Sequence, residues 1–279
     1  MMKSYSTLKN RSNITSLTIG GFDGMHKAHQ ELFKNLDKNG AILVIETGYA
    51  NITPLHYRQK YTKIPIFYYI LEDIKHLSGE EFIKVIQKEF INIKKIVVGF
   101  DFGFGKNRSC SSKDLIKIFK NKIKVINEIS INNIPIHSRI IREYLKKGDI
   151  KTTNLLLNRY YEIEGNIIKG QGIGKKSFVP TINLIIDIFL LPSNGVYITQ
   201  STINNKYYNS ITFIGNRLST DNQYSIETHI INKKISHIDS TIQIKFIDKL
   251  RNNIKFDNYQ TLKKQILIDI ENCRKYTNI

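Results

Sequence analysis

Short apolar runs alternate with helix-period segments over the first half of the chain. "ITSLTIG" (14–20), "AILVIET" (41–47) and "IKKIVVGF" (93–100) are rich in β-branched residues and continuous enough to be strands buried on both faces. Between them, "HQELFKNLDKNG" (29–40) and "GEEFIKVIQKEFI" (79–91) space their apolar residues at helical intervals, the first with a C-cap expected at Gly40. "IREYLKKGD" (141–149) predicts a further helix stopping at Gly148. This alternation predicts a parallel, doubly wound α/β sheet with helices on both faces.

From about Arg159 the period shortens. "YEIEGNII", "TINLIID", "GVYITQSTI", "YYNSITFIG", "YSIETHII" and "TIQIKFI" read as short strands, separated by the turn signals "PSNG", "INNK" and "TDNQ". They predict a small antiparallel β-barrel. One amphipathic helix follows, "YQTLKKQILIDIENCRKY", with Leu262, Ile266, Ile270 and Cys273 on one stripe. Two domains are therefore expected, residues 1–158 and 159–279.

Composition narrows the setting. Hydrophobic residues make up 41% of the 279, enough for a core in each domain. No run approaches the roughly 18 to 20 apolar residues of a membrane span, and the opening "MMKSYSTLKNRSN" has no apolar signal region. Cys110 and Cys273 form no CxxC pair, so neither a disulfide framework nor zinc is expected, and a reduced, cytoplasmic setting is. The net charge of +18 raises nucleic-acid binding as a reading. The excess is spread, with 26 Lys and Arg against 14 Asp and Glu up to residue 158 and 16 against 10 after it. The densest basic run, "IKIFKNKIK" (116–124), reads as a solvated helix face, with a phosphate-attracting surface as the other reading.

The chemistry begins at "TIGGFDGMHKAHQELF" (18–33). A strand ending in glycines makes a tight turn that side chains would obstruct. The next helix then points its free N–H groups into the same space, which favours a phosphate. His26 and His29 at its mouth can donate to phosphate oxygens and stabilise charge growing on a phosphoryl group. A metal pair and incidental surface histidines remain the other readings of these two residues. The GxxxxGK[ST] spacing of a Walker A loop is absent.

The stretch resembles the nucleotidyltransferase motif GNFDGxHxGH of the bacterial bifunctional riboflavin kinase/FMN adenylyltransferases, in Gly20, Phe22, Asp23, Gly24, His26 and His29. Gly21 replaces the motif's Asn, and Ala28 a Gly. "VVGFDFGFGKNRS" (97–109) resembles the family's GxDFxFGxxR through Gly99, Asp101, Phe102, Phe104 and Gly105, a loop that the resemblance assigns to the flavin and adenine rings. "IHSRIIREYL" resembles SSTxxRExL, keeping Ser138, Arg142 and Glu143 but placing His137 and Arg139 where the family has Ser and Thr. By resemblance Ser138 and Arg142 grip the outer ATP phosphates. "ETGYANITP" departs from the family's FEPHP.

In the second half, "GIGKKSFVPTINL" resembles the riboflavin kinase segment GRxLGFPTANL. The resemblance makes Thr181 and Asn183 ligands of Mg2+ and ATP phosphate, hard oxygens for a hard cation. It also makes Gly170, Gly172 and Gly174 a phosphate loop assisted by Lys175 and Lys176, with Phe178 replacing a family glycine. On the strand "YSIETHII", Glu227 shares a face with Ser225 and His229 while Tyr224, Ile226 and Ile230 point oppositely. It matches the family's catalytic Glu and can accept the proton of an attacking hydroxyl.

Together the resemblances imply a Rossmann-like nucleotidyltransferase domain and a six-stranded kinase barrel with a terminal helix. The implied activity is FAD synthesis: riboflavin phosphorylated by Mg-ATP to FMN, then FMN adenylylated by a second ATP. The substrates are small molecules, with no membrane partner. The alternatives are FMN adenylylation alone, a nucleotidyltransferase acting on pantetheine phosphate or nicotinamide mononucleotide, and a basic nucleic-acid-binding protein.

Overall fold

The computed structural model describes residues 10–120, 122–169, 179–219, 221–233, 235 and 240–277. Gly170, Gly172, Gly174, Lys175, Lys176 and Phe178 lie outside them. The chain divides into two compact units, Met1–Ile140 and Ile141–Ile279.

In the first unit five parallel strands run β1 (Ser16–Gly20), β2 (Gly40–Glu46), β3 (Ile66–Ile70), β4 (Lys95–Gly99) and β7 (Lys122–Ile126). Their spatial order is β3-β2-β1-β4-β7, while short strands β5 (Gly103–Phe104) and β6 (Cys110–Ser111) pair with each other, as do β8 (Ser130–Ile131) and β9 (Ile134–Pro135), and the one-turn helix α2 (Leu71–Ile74) follows β3. Alternate side chains feed two cores. Leu17, Ile19, Ala41 and Leu43 face α3 (Gly79–Glu89) and α4 (Ser112–Ile118) through Phe82, Ile86, Phe90 and Leu115. Ile42, Val44 and Val97 face α1 (Lys27–Lys34) through Leu32 and Phe33. Helices thus cover both faces, as the continuous apolar strands require. The order reverses between β1 and β4, where diverging connections leave a crevice at the carboxyl ends of the strands.

Three details differ from the expectation. Gly40 is the first residue of β2, and the helix before it ends at Lys34. A Cβ on Gly40 would lie 2.6 Å from Leu36 Cβ and 2.9 Å from Asp37 O, so close approach demands this glycine. The basic run 116–124 is not one helix face. It is divided between the end of α4 and the start of β7, an edge strand in which exposed Lys122 and Lys124 alternate with half-buried Ile123 and Val125. β3, "IFYYI", is short and buried nearly throughout, so it carries no alternation of its own, and its parallel pairing with β2 sets it. The helix predicted to stop at Gly148 does so: α5 (Ser138–Lys147) ends there, with Gly148 at φ +77.

In the second unit six antiparallel strands close into a barrel. They are β10 (Tyr161–Ile168), β11 (Ile182–Ile185), β12 (Gly195–Ile203), β13 (Lys206–Asn216), β14 (Tyr224–Ile230) and β15 (Thr241–Arg251), in the order β10-β11-β14-β13-β12-β15. Each matches one of the six alternating segments of the sequence. A preceding helix, α6 (Ile150–Leu157), joins this unit: Asn154 donates to Phe246 O at 3.0 Å and accepts from Tyr161 N at 2.7 Å. The terminal helix, α7 (Tyr259–Thr277), lays Ile266, Ile270 and Cys273 against Val196, Ile198 and Ile211 on the barrel's outer face. Burial pushes the Cys273 thiol up to about 11, so it stays an unreactive core group. Among the described residues no helix is long and apolar enough to cross a membrane.

One polar pair pins α7. Arg251 at the end of β15 reaches Asp269 with Nε at 2.9 Å and Nη2 at 2.6 Å, and Gln265 adds a bond at 2.9 Å. The Asp269 side chain is only 4% exposed. Removing one partner of such a buried pair strands the other. Asp269→Ala should therefore lower stability by about 3 kcal/mol, read from urea unfolding; a loss within error would show that the apolar stripe alone holds the helix.

Candidate functional site

The switch-point crevice is a cleft of about 510 Å³. β1 enters it at Gly20, and residues 21–26 turn the chain into α1. The turn needs left-handed backbone at Phe22 (φ +48), Gly24 (φ +89) and Met25 (φ +43). Two of these are not glycine, and their strain is held by packing: Phe22 and Met25 are 3% and 1% exposed. His26 is the N-cap of α1, its Nδ1 accepting from the backbone N–H of His29 at 3.4 Å. The two imidazoles consequently stack, 3.5 Å between centroids and 18° between planes. The edge of Phe22 backs His29 at 5.0 Å. Gly20, Phe22, His26 and His29 all line the cleft.

Asp23 and Gly24, within the turn itself, bond to the segment that follows β2. Neither is among the lining residues. The Asp23 carboxylate is 6% exposed and accepts the backbone N–H groups of Asn51 (3.2 Å), Ile52 (3.0 Å) and Thr53 (2.8 Å). Gly24 N donates to Thr53 Oγ1 at 2.6 Å. These bonds fix the turn that carries the histidines. Ser138, the first residue of α5, lines the cleft and donates Oγ–H to Asp23 O at 2.6 Å. Arg142, one turn further along α5, is not a lining residue.

The opposite wall follows β4. Gly99, Asp101, Phe102, Phe104 and Gly105 line it, with Phe102 and Phe104 stacked at 5.5 Å. Gly105 has φ +74, and a Cβ there would lie 2.8 Å from Gly79 N, so only glycine lets this loop close on the start of α3. Arg108 also lines the cleft, its Nη2 donating to Asp101 O at 3.3 Å. Only the trailing Arg of the resembling motif pointed to it. Below the segment 47–53, Arg58 is fully buried and pairs with Glu46 at 2.8 Å. Nothing in the local sequence signals that pair.

In the barrel, strand pairing assembles the second constellation. Glu227 on β14 lies opposite Asn183 on β11 and Phe213 on β13, so their side chains share a face. Thr181, just before β11, donates to Glu227 Oε2 at 3.3 Å. The inward alternation is as expected, with Ile226, Thr228 and Ile230 buried between Ser225, Glu227 and His229. His229 lies 2.9 Å from Pro180 O through Nδ1, and burial holds its pKa below the ordinary histidine value, so it is a neutral donor steadying the PTIN segment. The sequence reading missed Arg217 at the end of β13, 3.6 Å from Glu227 Oε1 and 2.7 Å from Asp221 Oδ2. Its signal was the arginine closing "FIGNR". Among the described residues no cluster of three His, Cys, Asp or Glu could hold a metal; Thr181 and Asn183 beside Glu227 instead offer the few hard oxygens that suit Mg2+ completed by phosphate.

Known proteins match both units. The riboflavin kinase family model matches residues 157–277 and the FAD synthetase model residues 58–140. A bifunctional riboflavin kinase/FMN adenylyltransferase of Buchnera aphidicola (subsp. Schizaphis graminum) is 31% identical over 100% of this chain and 99% of its own. One from Bacillus subtilis is 26% identical over 93% and 92%. A crystal structure described as a macrolide-efflux protein from Streptococcus pneumoniae superposes with a TM-score of 0.83 at 25% identity, over 96% of this chain and 97% of that one. With two constellations in two units and a relative matched from end to end, the chain belongs to the bifunctional riboflavin kinase/FMN adenylyltransferase family.

Proposed function

We propose that this chain makes FAD from riboflavin and two molecules of ATP, phosphorylating in the barrel and adenylylating in the switch-point cleft. The observation that carries the reading is that one chain holds both constellations: the stacked His26–His29 pair at the start of α1, and Glu227 with Thr181 and Asn183 on adjoining strands. The efflux activity named for the streptococcal protein stays with that protein, since both constellations here are suited to moving phosphorus.

In the barrel, Glu227 accepts the proton of the riboflavin 5′-hydroxyl as that oxygen attacks the γ-phosphorus of ATP; ADP leaves and FMN is formed. Thr181 and Arg217 hold the carboxylate in place before reaction. Thr181 and Asn183 would hold Mg2+, which supplies charge neutralisation to the phosphates. In the cleft, a phosphate oxygen of FMN attacks the α-phosphorus of the second ATP, and pyrophosphate leaves. That nucleophile is already anionic and needs no base. The work of His26, His29 and the α1 terminus is to position the phosphates and stabilise the charge that grows on them. Phe102 and Phe104 offer flat apolar surface to a flavin or adenine ring. The reaction draws on cytoplasmic ATP, a setting consistent with the unpaired Cys110 and Cys273.

Purified protein given riboflavin and Mg-ATP should yield FMN and then FAD on chromatographic separation; FAD appearing only from supplied FMN would reduce the reading to adenylylation alone. His29→Ala should slow FMN adenylylation by about 10²–10³-fold while FMN formation continues, and parallel loss of both activities would contradict separate sites. Glu227→Gln should slow phosphorylation by about 10²–10⁴-fold, and an unimpaired rate removes the residue from the mechanism. Excess EDTA should halt FMN formation and added Mg2+ restore it; turnover unaffected by chelation would reject the assignment of Thr181 and Asn183.

A further inference from the structure

The hairpin between β13 and β14 carries a cation whose reach goes beyond bracing Glu227. Arg217 follows β13, and its backbone closes the turn: Arg217 N donates to Gln223 O at 3.0 Å, and Arg217 O accepts from Asn222 N at 3.2 Å. The guanidinium is held from the same turn. Nη2 donates to Asp221 Oδ2 at 2.7 Å and to Gln223 Oε1 at 3.3 Å. Nη1 stands 3.6 Å from Glu227 Oε1, while the other oxygen of that carboxylate accepts from Thr181 Oγ1 at 3.3 Å. The Arg217 and Glu227 side chains are 19% and 21% exposed, open enough to meet a substrate and covered enough to keep their places.

The two carboxylates hold this cation unequally. The contact with Asp221 has the length of a charge-assisted hydrogen bond, and the 3.6 Å to Glu227 lies beyond it. Asp221 therefore fixes where the fork stands, and the contact of Nη1 with Glu227 is the looser one. That looser contact lies where transfer must occur. A base takes a proton over roughly 2.6–3.2 Å, and a hydroxyl attacks phosphorus from about 3–3.5 Å. A phosphoryl group transferred beside Glu227 thus comes within reach of a guanidinium that stands against the same carboxylate. Charge moves in the same direction. Once Glu227 has accepted the proton it is neutral, and its attraction for Arg217 falls in the very step in which the phosphoryl charge needs a partner.

We propose that Arg217, set in place by Asp221 and Gln223, binds the phosphoryl group in transit from ATP to riboflavin and is a catalytic residue of the barrel beside Glu227. The inference rests on the phosphorylation reading. As the bond from the 5′-oxygen to the γ-phosphorus forms, the bond from that phosphorus to its bridging oxygen breaks, the hydroxyl proton passes to Glu227 and ADP departs. Arg217 turns Nη1 from the Glu227 carboxylate to an oxygen of the phosphoryl group, where a fixed donor stabilises the transition state. Asp221 and Gln223 are positioning residues that act through it.

The test compares FMN formation from riboflavin and Mg-ATP by the full chain as wild type, Arg217→Ala, Arg217→Lys and Asp221→Asn. Arg217→Ala should lower kcat by about 10²–10³-fold with the KM for riboflavin unchanged, and added guanidinium ion should restore part of the rate. Arg217→Lys keeps the charge without the fork and should lose about tenfold in kcat. Asp221→Asn leaves the guanidinium present but poorly anchored and should lose about threefold. A mere brace for the hairpin would raise the KM for riboflavin or lower the unfolding midpoint while kcat stays near wild type. That result, or a loss in Arg217→Ala that guanidinium does not relieve, would overturn the proposal. Should Arg217→Ala not fold, the other two variants decide, and a wild-type kcat in both rejects the role. Wild type that makes no FMN from riboflavin sinks the phosphorylation reading itself, which keeps the two failures distinct.

Discussion

The first unit depends on one buried carboxylate. Asp23 receives three successive backbone N–H groups from residues 51–53, while its own carbonyl accepts Ser138 Oγ–H. Three segments far apart in the chain meet at this residue: the turn after β1, the connection after β2 and the first residue of α5. Hydrogen bonds to a charged acceptor are each worth about 1.5–3 kcal/mol, and amides left without one in the interior cost comparably. Those bonds brace the turn in which packing holds Phe22 and Met25 in left-handed conformations that an isolated peptide would avoid. The strained turn in turn lets His26 cap α1 and stack on His29. The one carboxylate of the motif thus braces the turn that carries the two histidines.

The barrel solves a similar problem by strand register. Glu227 is useful only if it stands beside Asn183 and Thr181, and a slip of one residue would turn it into the core. The register is fixed from inside. Ser201, Ser210, Thr199, Thr212 and Thr228 are all fully buried and linked in sequence by bonds of 2.8 to 3.0 Å. A slip would leave several of these hydroxyls unsatisfied among Ile and Phe side chains, each at about 1–3 kcal/mol. On the outer face Arg251 and Asp269 add a directional bond to the apolar stripe of α7. The Glu227 carboxylate is positioned by groups on the opposite side of its own strand.

Read from the residues alone, the strands β1, β2 and β4, the helix stopped at Gly148, the six barrel strands and the terminal helix were all legible, because each is written in a local period or a breaker. The histidine pair and Glu227 were legible for the same reason: spacing along one helix start, and alternation along one strand. The basic run at 116–124 and Gly40 were misread because a helix and a strand meet inside the first, and because the second is set by the steric reach of Leu36 and Asp37 rather than by a left-handed φ. Neither a helix–strand junction nor a close backbone approach leaves a mark in the hydrophobic period.

What the sequence by itself determined is the menu of elements and the chemistry available at their ends, since hydrophobic period, glycine turns and capping act over a few residues. Tertiary structure alone decided which groups line the cleft and which brace the others. It tied Asp23 to residues 51–53, brought Arg217 to Glu227, buried Arg58 on Glu46 and joined Glu128 to His137. These are interactions between segments, and a charged side chain takes its partner from whatever the packed fold sets within about 3–4 Å.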